Sequence, residues 1–343
     1  MGATDSPDDG LVLAVDGGGA KTDLALLRCT GELLSLIRGP GSSPHYVGVD
    51  GCVALLEELL AEARSRAGLA EDRRGAIAAA EVLVAGADLP EELATLRARL
   101  ASLRWSDRLL VDNDTLALLR SGTDRGWGVA VVCGSGINCV GLTPDGRTAR
   151  FPALGQISGD WGGGTDVGMA ALAAAARSAD GRGRRTILES VVPAHFGLTE
   201  PFELARALHL RELRSGRLGE LVPVVFGAAG DDAAAAEIVE RLADEVVAFA
   251  TAALRRLKLT AEDTDVVLGG RLIRAAPTTM LGRISAGVRA VAPDAMVRVA
   301  PSAPIVGAAL LGFDELEVNS NAVVRARSEL DAAFAELEGR PGS

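Results

Sequence analysis

The chain is poor in the residues on which many recognisable chemistries depend. Aromatic residues fill 3% of its 343 positions, and acidic residues outnumber basic ones 46 to 35, for a net charge of −11. A protein that grips nucleic acid needs a basic face and rings for bases to stack on, and an anionic bilayer repels a chain of this charge, so both partner classes are excluded. There are three histidines and four cysteines, Cys29, Cys52, Cys133 and Cys139, without a C-x-x-C pair. That spacing suggests neither a zinc site nor a disulfide framework, and the thiols read as buried and free in a reducing cytoplasm. His45, His195 and His209 stand alone, and no Ser-His-Asp register can be assembled around them. No apolar run approaches the roughly 18 residues of a membrane span, and the start is acidic where a signal peptide would be basic and then apolar. The opening Met1–Ser6 string fits a myristoylation pattern loosely and is discounted. Lysine occurs only as Lys21 and Lys258 amid abundant arginine and alanine, which compositional bias explains. Small-molecule partners remain.

Glycine, by contrast, is abundant, and two stretches rich in it read alike. Val12–Val15 is an apolar strand ending in Asp16-Gly17-Gly18-Gly19, followed by Thr22–Arg28 and a Thr30-Gly31-Glu32 turn. Gly128–Val132 repeats the plan with Gly134-Ser135-Gly136, Asn138–Leu142 and Asp145-Gly146-Arg147. Each predicts strand, glycine turn, strand, polar turn, strand. A glycine turn at a hairpin tip leaves backbone N–H groups uncovered, so two tips on related domains can hold a polyphosphate between them. The length suits about two domains, and 48% hydrophobic residues suffice for two cores.

Between and after the meanders, strands alternate with helices, the mark of an α/β layer architecture. Helices are predicted over 48–67, 90–103, 115–121, 166–177, 201–215, 218–229, 232–257 and 323–337, with a further one starting at Ile305; short strands are predicted at 82–85, 109–111, 266–268 and 295–299. The last residues, 339–343, are expected to fray.

Several residues carry two readings on spacing alone. Asp16–Thr22 looks like a Walker loop at a glance, but Ala20 stands where glycine is required and a strand follows, so it is not one. It is either a tight turn with a surface lysine or a phosphate-touching tip, with Asp16 holding hydrated Mg²⁺ and Lys21 or Thr22 reaching a phosphate oxygen. Asp112-Asn113-Asp114 sits where a buried strand meets a helix, the edge at which open α/β sheets present their working groups. Asp114 there either accepts a hydroxyl proton or caps the helix that begins at Thr115. Asp160, within Gly159–Gly164, belongs to a capped helix entry or a ligand loop, and four glycines in six residues favour an ordered contact. Gly269-Gly270 is either a bare-backbone seat for adenosine or a plain strand stop.

Taken together, the glycine turns, Asn113-Asp114 and the glycine pair resemble the sugar kinase, actin and heat-shock-protein ATPase superfamily. More closely, the chain resembles the BadF/BadG/BcrA/BcrD-type ATPase family, whose best understood relatives are N-acetylglucosamine kinases. The likeness lies in Val15–Asp23, Gly39–Gly48, Val111–Thr115, Val132–Asn138, Gly155–Gly164, Asp180–Leu188, Leu268–Gly270 and Pro304–Leu311. It implies two ribonuclease-H-like (actin-like ATPase) domains around a nucleotide cleft, 1–118 and 119–343, with the terminal helix free to pack back on the first. It implies ATP and Mg²⁺ as cofactors, Asp16, Gly17, Gly18, Gly19, Lys21 and Thr22 as the first phosphate element, Gly134, Ser135 and Gly136 as the second, and Gly269 with Gly270 as the adenosine motif. Asp16 is the metal residue on this reading and Asp114 the base for the sugar 6-hydroxyl. Ser43, His45, Asn113, Ile137, Asn138 and Asp160 become sugar contacts.

Two departures touch the substrate. Ser43 precedes Pro44-His45 where the family commonly has asparagine, and Trp161 follows Asp160 where N-acetylglucosamine kinases often have glutamate. An indole can stack on a sugar ring but cannot accept its hydroxyl protons. The expectation is therefore a cytoplasmic, homodimeric kinase of a hexose or amino sugar, with no nucleic-acid or membrane partner. Two alternatives stand beside it: the activator ATPase of a 2-hydroxyacyl-CoA dehydratase or benzoyl-CoA reductase system, which needs interface cysteines for an iron–sulfur cluster, and a non-catalytic sugar sensor.

Overall fold

A computed structural model describes residues 10–69 and 77–339. The opening string with its lipidation pattern and the final residues 340–343 of the expected frayed tail lie outside the described residues. The chain divides into two compact units, Met1–Gly128 with Ala300–Ser343, and Val129–Val299.

In the first unit, β1 (Leu11–Gly17), β2 (Lys21–Arg28) and β3 (Leu33–Pro40) form the expected antiparallel meander. β4 (Ile77–Val84) and β5 (Leu109–Asp112) extend it in parallel, giving the order β3-β2-β1-β4-β5. Strands buried on both faces read as continuous apolar runs, as β1 does. Leu13, Val15, Leu24, Leu26 and Val82 pack against α1 (Pro44–Arg66) and α2 (Pro90–Ser102). Val12, Ala14, Ala25, Leu27 and Leu83 pack against α11 (Pro304–Glu315) and α12 (Ser320–Glu338), with Ala117 of α3 (Thr115–Gly122) in the same cluster. β4 begins five residues before the strand expected at Val82, because its first half, Ile77–Glu81, is alanine-rich with a glutamate. Propensity alone hides such a segment; parallel pairing with β1 overrides it.

The second unit repeats the plan. β6 (Gly128–Cys133), β7 (Ile137–Leu142), β8 (Thr148–Arg150), β9 (Asp265–Gly269) and β10 (Met296–Val299) are ordered β10-β9-β6-β7-β8, so each sheet is a three-strand meander followed by two crossover strands. Its helices are α4 (Gly164–Ala179), α5 (Leu188–His195), α6 (Pro201–His209), α7 (Val222–Ala228), α8 (Ala233–Leu257), α9 (Arg271–Arg274) and α10 (Thr278–Arg289). The helix expected over 201–215 stops at His209, and Arg211 turns left-handed at φ 59°. The helix expected over 218–229 opens instead as a 3₁₀ turn, Ser215–Leu221, before α7. α5 and α10 were not anticipated; Pro193 lies inside the first and Pro277 directly precedes the second. α8 is fixed at its start by Asp232, whose carboxylate accepts from the Ala234 and Ala235 N–H groups at 3.0 and 2.9 Å.

Candidate functional site

In the first unit, the β1–β2 tip is a tight turn in which the Gly18 N–H donates to the Lys21 carbonyl at 2.8 Å. The segment after β3 lies directly on it: the Ser42 and Ser43 N–H groups donate to the Gly18 carbonyl at 3.1 and 3.3 Å, and a Cβ on Gly41 would come within 2.3 Å of the Gly19 carbonyl oxygen. Only a glycine allows that approach. Tyr46 lays its ring edge against Gly19, and Ser43 and His45 cover Gly86. His45 Nε2 sits 3.3 Å from Glu92 Oε1, while Glu92 Oε2 accepts from the Asp88 and Leu89 N–H groups at the start of α2. Ser43, His45 and the glycine tip, far apart in sequence logic, thus converge.

Strand alternation separates Lys21 from Thr22. Thr22 faces the α1 side with its hydroxyl buried and unpartnered, as is that of Ser42 nearby, whereas Lys21 and Asp23 face the α12 side. The Lys21 ammonium lies 3.5 Å from Asp23 and 3.8 Å from Glu338. Asp23 and Arg38, which the sequence reading passed over, form an ion pair at 2.7 and 3.1 Å. The signal was present: opposite charges at directly paired positions of β2 and β3.

At the end of β5, the side-chain cap of α3 does not come from Asp114. The amide oxygen of Asn113, not the carboxylate of Asp114, accepts from the Thr115 N–H (3.0 Å) and hydroxyl (2.7 Å), and Asp114 makes no capping bond. Asn113 also donates to Asp88 Oδ1 at 2.7 Å. Asp114 is left half-buried with a carboxyl pushed up to about 7 by burial and by the Asp88 charge, against the pull of nearby backbone N–H groups. A carboxylate of that affinity can take a proton near neutrality and give it back, which an ordinary aspartate does poorly.

In the second unit, the β6–β7 tip is closed by the Gly134 N–H donating to the Gly136 carbonyl at 2.8 Å, with Ser135 exposed at its apex. A Cβ at Gly134 or Gly136 would meet nothing, so the tip has open space before it. Gly164 donates to the Gly134 carbonyl at 3.0 Å, and Gly163 lies so close to Ser135 that a Cβ would approach its carbonyl oxygen to 2.1 Å. Gly270, at φ 91°, rests on Cys133 with the same 2.1 Å margin to its carbonyl oxygen. The second glycine turn, the Gly159–Gly164 loop and the Gly269-Gly270 stop are therefore one structure. Ile137 is buried with its side chain against Gly162, so a ligand meets its main chain at most. Asn138 Oδ1 accepts from the Cys139 N–H at 2.7 Å, and Asp160 accepts from the Ser158 hydroxyl.

Trp161 does not offer a free stacking face on the side from which α8 approaches. It is 8% exposed, and the Arg241 guanidinium covers its ring at 4.0 Å from the centroid. Near it, burial pushes the Glu245 carboxyl up; the Arg241 charge opposes this, and those of Asp160 and Asp244 add to it. Arg241 and Glu245 line a hollow of about 420 Å³ along α8. These α8 residues were not singled out from sequence, where nothing distinguishes them from an exposed helix face.

The sequence profile of the BadF/BadG/BcrA/BcrD ATPase family matches residues 13–312. A protein of Clostridium acetobutylicum described as an N-acetylmuramic acid/N-acetylglucosamine kinase is 30% identical over 218 residues, 63% of this chain and 70% of that protein. An N-acetyl-D-glucosamine kinase of Dictyostelium discoideum is 24% identical over 319 residues, covering 89% of this chain and 98% of its own length. Among solved structures, a putative N-acetylglucosamine kinase from Chromobacterium violaceum superposes with a TM-score of 0.70 at 23% identity, covering 89% of this chain and 99% of that one. With a profile match over most of its length and both glycine tips in place, the chain belongs to the BadF/BadG/BcrA/BcrD ATPase family.

Proposed function

We propose that the protein is an ATP- and Mg²⁺-dependent phosphotransferase that phosphorylates a hexose or amino sugar at its 6-hydroxyl. The observation that carries the reading is Asp114, freed from capping by Asn113 and holding a carboxyl near 7 at a strand end. Relatives described as N-acetylglucosamine kinases support the sugar class.

The residues present fit the two small groups the reaction needs. The Gly134–Gly136 tip opens onto space that side chains would fill, and Thr22 and Ser42 keep buried hydroxyls without partners beside the other tip. Asp16 supplies the carboxylate that a largely hydrated magnesium ion asks for. When bound, MgATP supplies the transferable phosphoryl group and neutralises its developing charge. The chain's own part would be positioning: in the first unit the Asp16–Gly19 tip would meet phosphate oxygens and Asn113, Ser43 and His45 the sugar, and in the second unit the Gly134–Gly136 tip would meet phosphate oxygens, Gly269-Gly270 the nucleoside and Asn138 and Asp160 the sugar. Asp114 would accept the proton of the sugar hydroxyl as that oxygen takes the γ-phosphoryl group and the bond from that phosphorus to the departing ADP breaks.

The activator reading asks for cysteines that a partner can share. All four are buried, and burial pushes the Cys133 thiol up to about 12 and that of Cys139 further still, the reverse of a cluster ligand. No helix among the described residues is long and apolar enough to cross a membrane; a cytoplasmic setting and a homodimer are part of the proposal through the family likeness alone. Asp114→Asn should lower kcat on the order of 10²–10⁴-fold while the Kd for MgATP stays unchanged. Wild-type turnover in the purified variant contradicts the assignment.

A further inference from the structure

The charged end of the first sheet is roofed by the last helix. The register sets Asp16 opposite Asp23 and Asp23 opposite Arg38, and directly opposed residues share a face, so the three form one row across β1, β2 and β3. That face is the one on which Val12, Ala14, Ala25 and Leu27 meet α11 and α12. Lys21, two residues before Asp23, points the same way. At the end of α12, Phe334 is 7% exposed and presents its ring to both cations, with Lys21 Nζ 4.9 Å and Arg38 Cζ 5.0 Å from the centroid. Two cations against one ring repel each other, and Asp23 between them, 1% exposed, answers both. Burial works against the Arg38 charge, but hydrogen bonding to Asp23 and the charges of Asp23, Glu338 and Asp16 outweigh it.

A lysine at the tip of a strand has four rotatable bonds, and holding its ammonium in one place costs side-chain entropy at the moment of binding. Glu338 is half exposed and contributes little to that restraint. The ring does more, because a cation over an aromatic face keeps much of its attraction when water is displaced.

We infer that α12, through Phe334, holds Lys21 and the Asp16–Asp23–Arg38 row in place for the phosphates of a nucleotide. Phe334 touches neither phosphate nor sugar; it is a positioning residue that acts through the two cations. The inference rests on the phosphate-binding reading of Asp16–Thr22.

The test is calorimetric titration of MgATP into the full-length protein. Phe334→Leu keeps the apolar volume and loses the ring face; it should weaken MgATP binding about fivefold, while Phe334→Tyr restores the wild-type Kd. In a Lys21→Met background, Phe334→Leu should add little, because of the two cations over the ring Lys21 is the one at the tip, and Arg38 stays held by its ion pair with Asp23. Unfolding midpoints measured alongside separate this from plain core damage. An unchanged Kd in Phe334→Leu with a lowered midpoint, failure of Phe334→Tyr to restore binding, or equal losses in both backgrounds overturns the inference. Wild-type protein that takes up no MgATP overturns the phosphate-binding reading and the inference with it.

Discussion

Among the described residues, two carboxyl groups sit well above their ordinary range, and they ask different things of the molecule. Asp114, near 7, is the proposed base: on that reading it must be ionised to accept a proton, so kcat/KM should rise about tenfold per pH unit below 7 and level off above it. Asp114→Asn should remove that limb. Glu81 is placed for none. It lies 2% exposed in the middle of β4, pushed up to about 8 by burial and by Glu315 and Asp314 of α11, and its Oε2 has no hydrogen-bond partner. Its folded pKa exceeds its unfolded value, so its contribution is fully present below about 4.5 and is lost as pH rises toward 8. Glu81→Gln should therefore flatten stability between those limits, and its advantage over the wild type, read from urea unfolding, should grow by about 1 kcal/mol per pH unit or less through that window. A wild type whose stability relative to Glu81→Gln does not fall with pH contradicts the protonated state. Asp114 and Asn113 also mark how far sequence reasoning reaches at this scale. The position of both at a strand-to-helix junction was legible. Which one caps was not, because Asn and Asp are equally good caps and only the side-chain rotamers choose between them.

At the scale of elements, α3 carries Asp114 at its start and α11 presses on its back. Gly307 makes this possible: a Cβ there would lie 1.8 Å from the Ala117 carbonyl oxygen and 2.7 Å from the Ser121 nitrogen. Gly307→Ala should force the two helices apart, with a cost of about 1–3 kcal/mol in unfolding free energy and a fall in kcat larger than any change in the MgATP Kd. Gly282→Ala on α10, where an added Cβ meets nothing, is the control and should be neutral or stabilising by up to about 1 kcal/mol. If both variants behave alike, the close crossing does not position Asp114. The elements themselves were unevenly legible. β1, β2 and the two glycine tips stand out because apolar runs end in glycine clusters. The first half of β4 is hidden by alanine and a glutamate that only pairing with β1 and β5 holds in a strand. α5 is hidden by an internal proline, and the Arg241–Trp161 stack joins an exposed helix face to a loop about eighty residues away, a contact that no local pattern encodes.

For the whole molecule, the repeated plan seen in the two meanders extends to both five-stranded sheets, whose orders run 3-2-1-4-5 and 8-7-6-9-10. The repetition was legible only where glycine tips repeat, since among the described residues the crossovers of the second unit carry more helices than those of the first and share no pattern with them. The proposed work is divided between the units: Asp16–Thr22 and Asp114 belong to one, Gly134–Gly136 and Gly269-Gly270 to the other. The identity of the sugar is the least legible part, because Ser43, Trp161, Arg241 and Glu245 all depart from or lie outside the recognisable motifs.

The central claim is phosphoryl transfer from ATP to a sugar, and the most direct measurement is ADP release by the purified protein with MgATP across glucosamine, N-acetylglucosamine, N-acetylmannosamine, N-acetylmuramic acid and glucose, with a no-sugar control. The account predicts turnover that depends on at least one of these sugars, yields its phosphate ester and is nearly silent without sugar. Rapid ADP release indifferent to sugar, as an activator ATPase would give, or none under any condition, as a sensor would give, contradicts it.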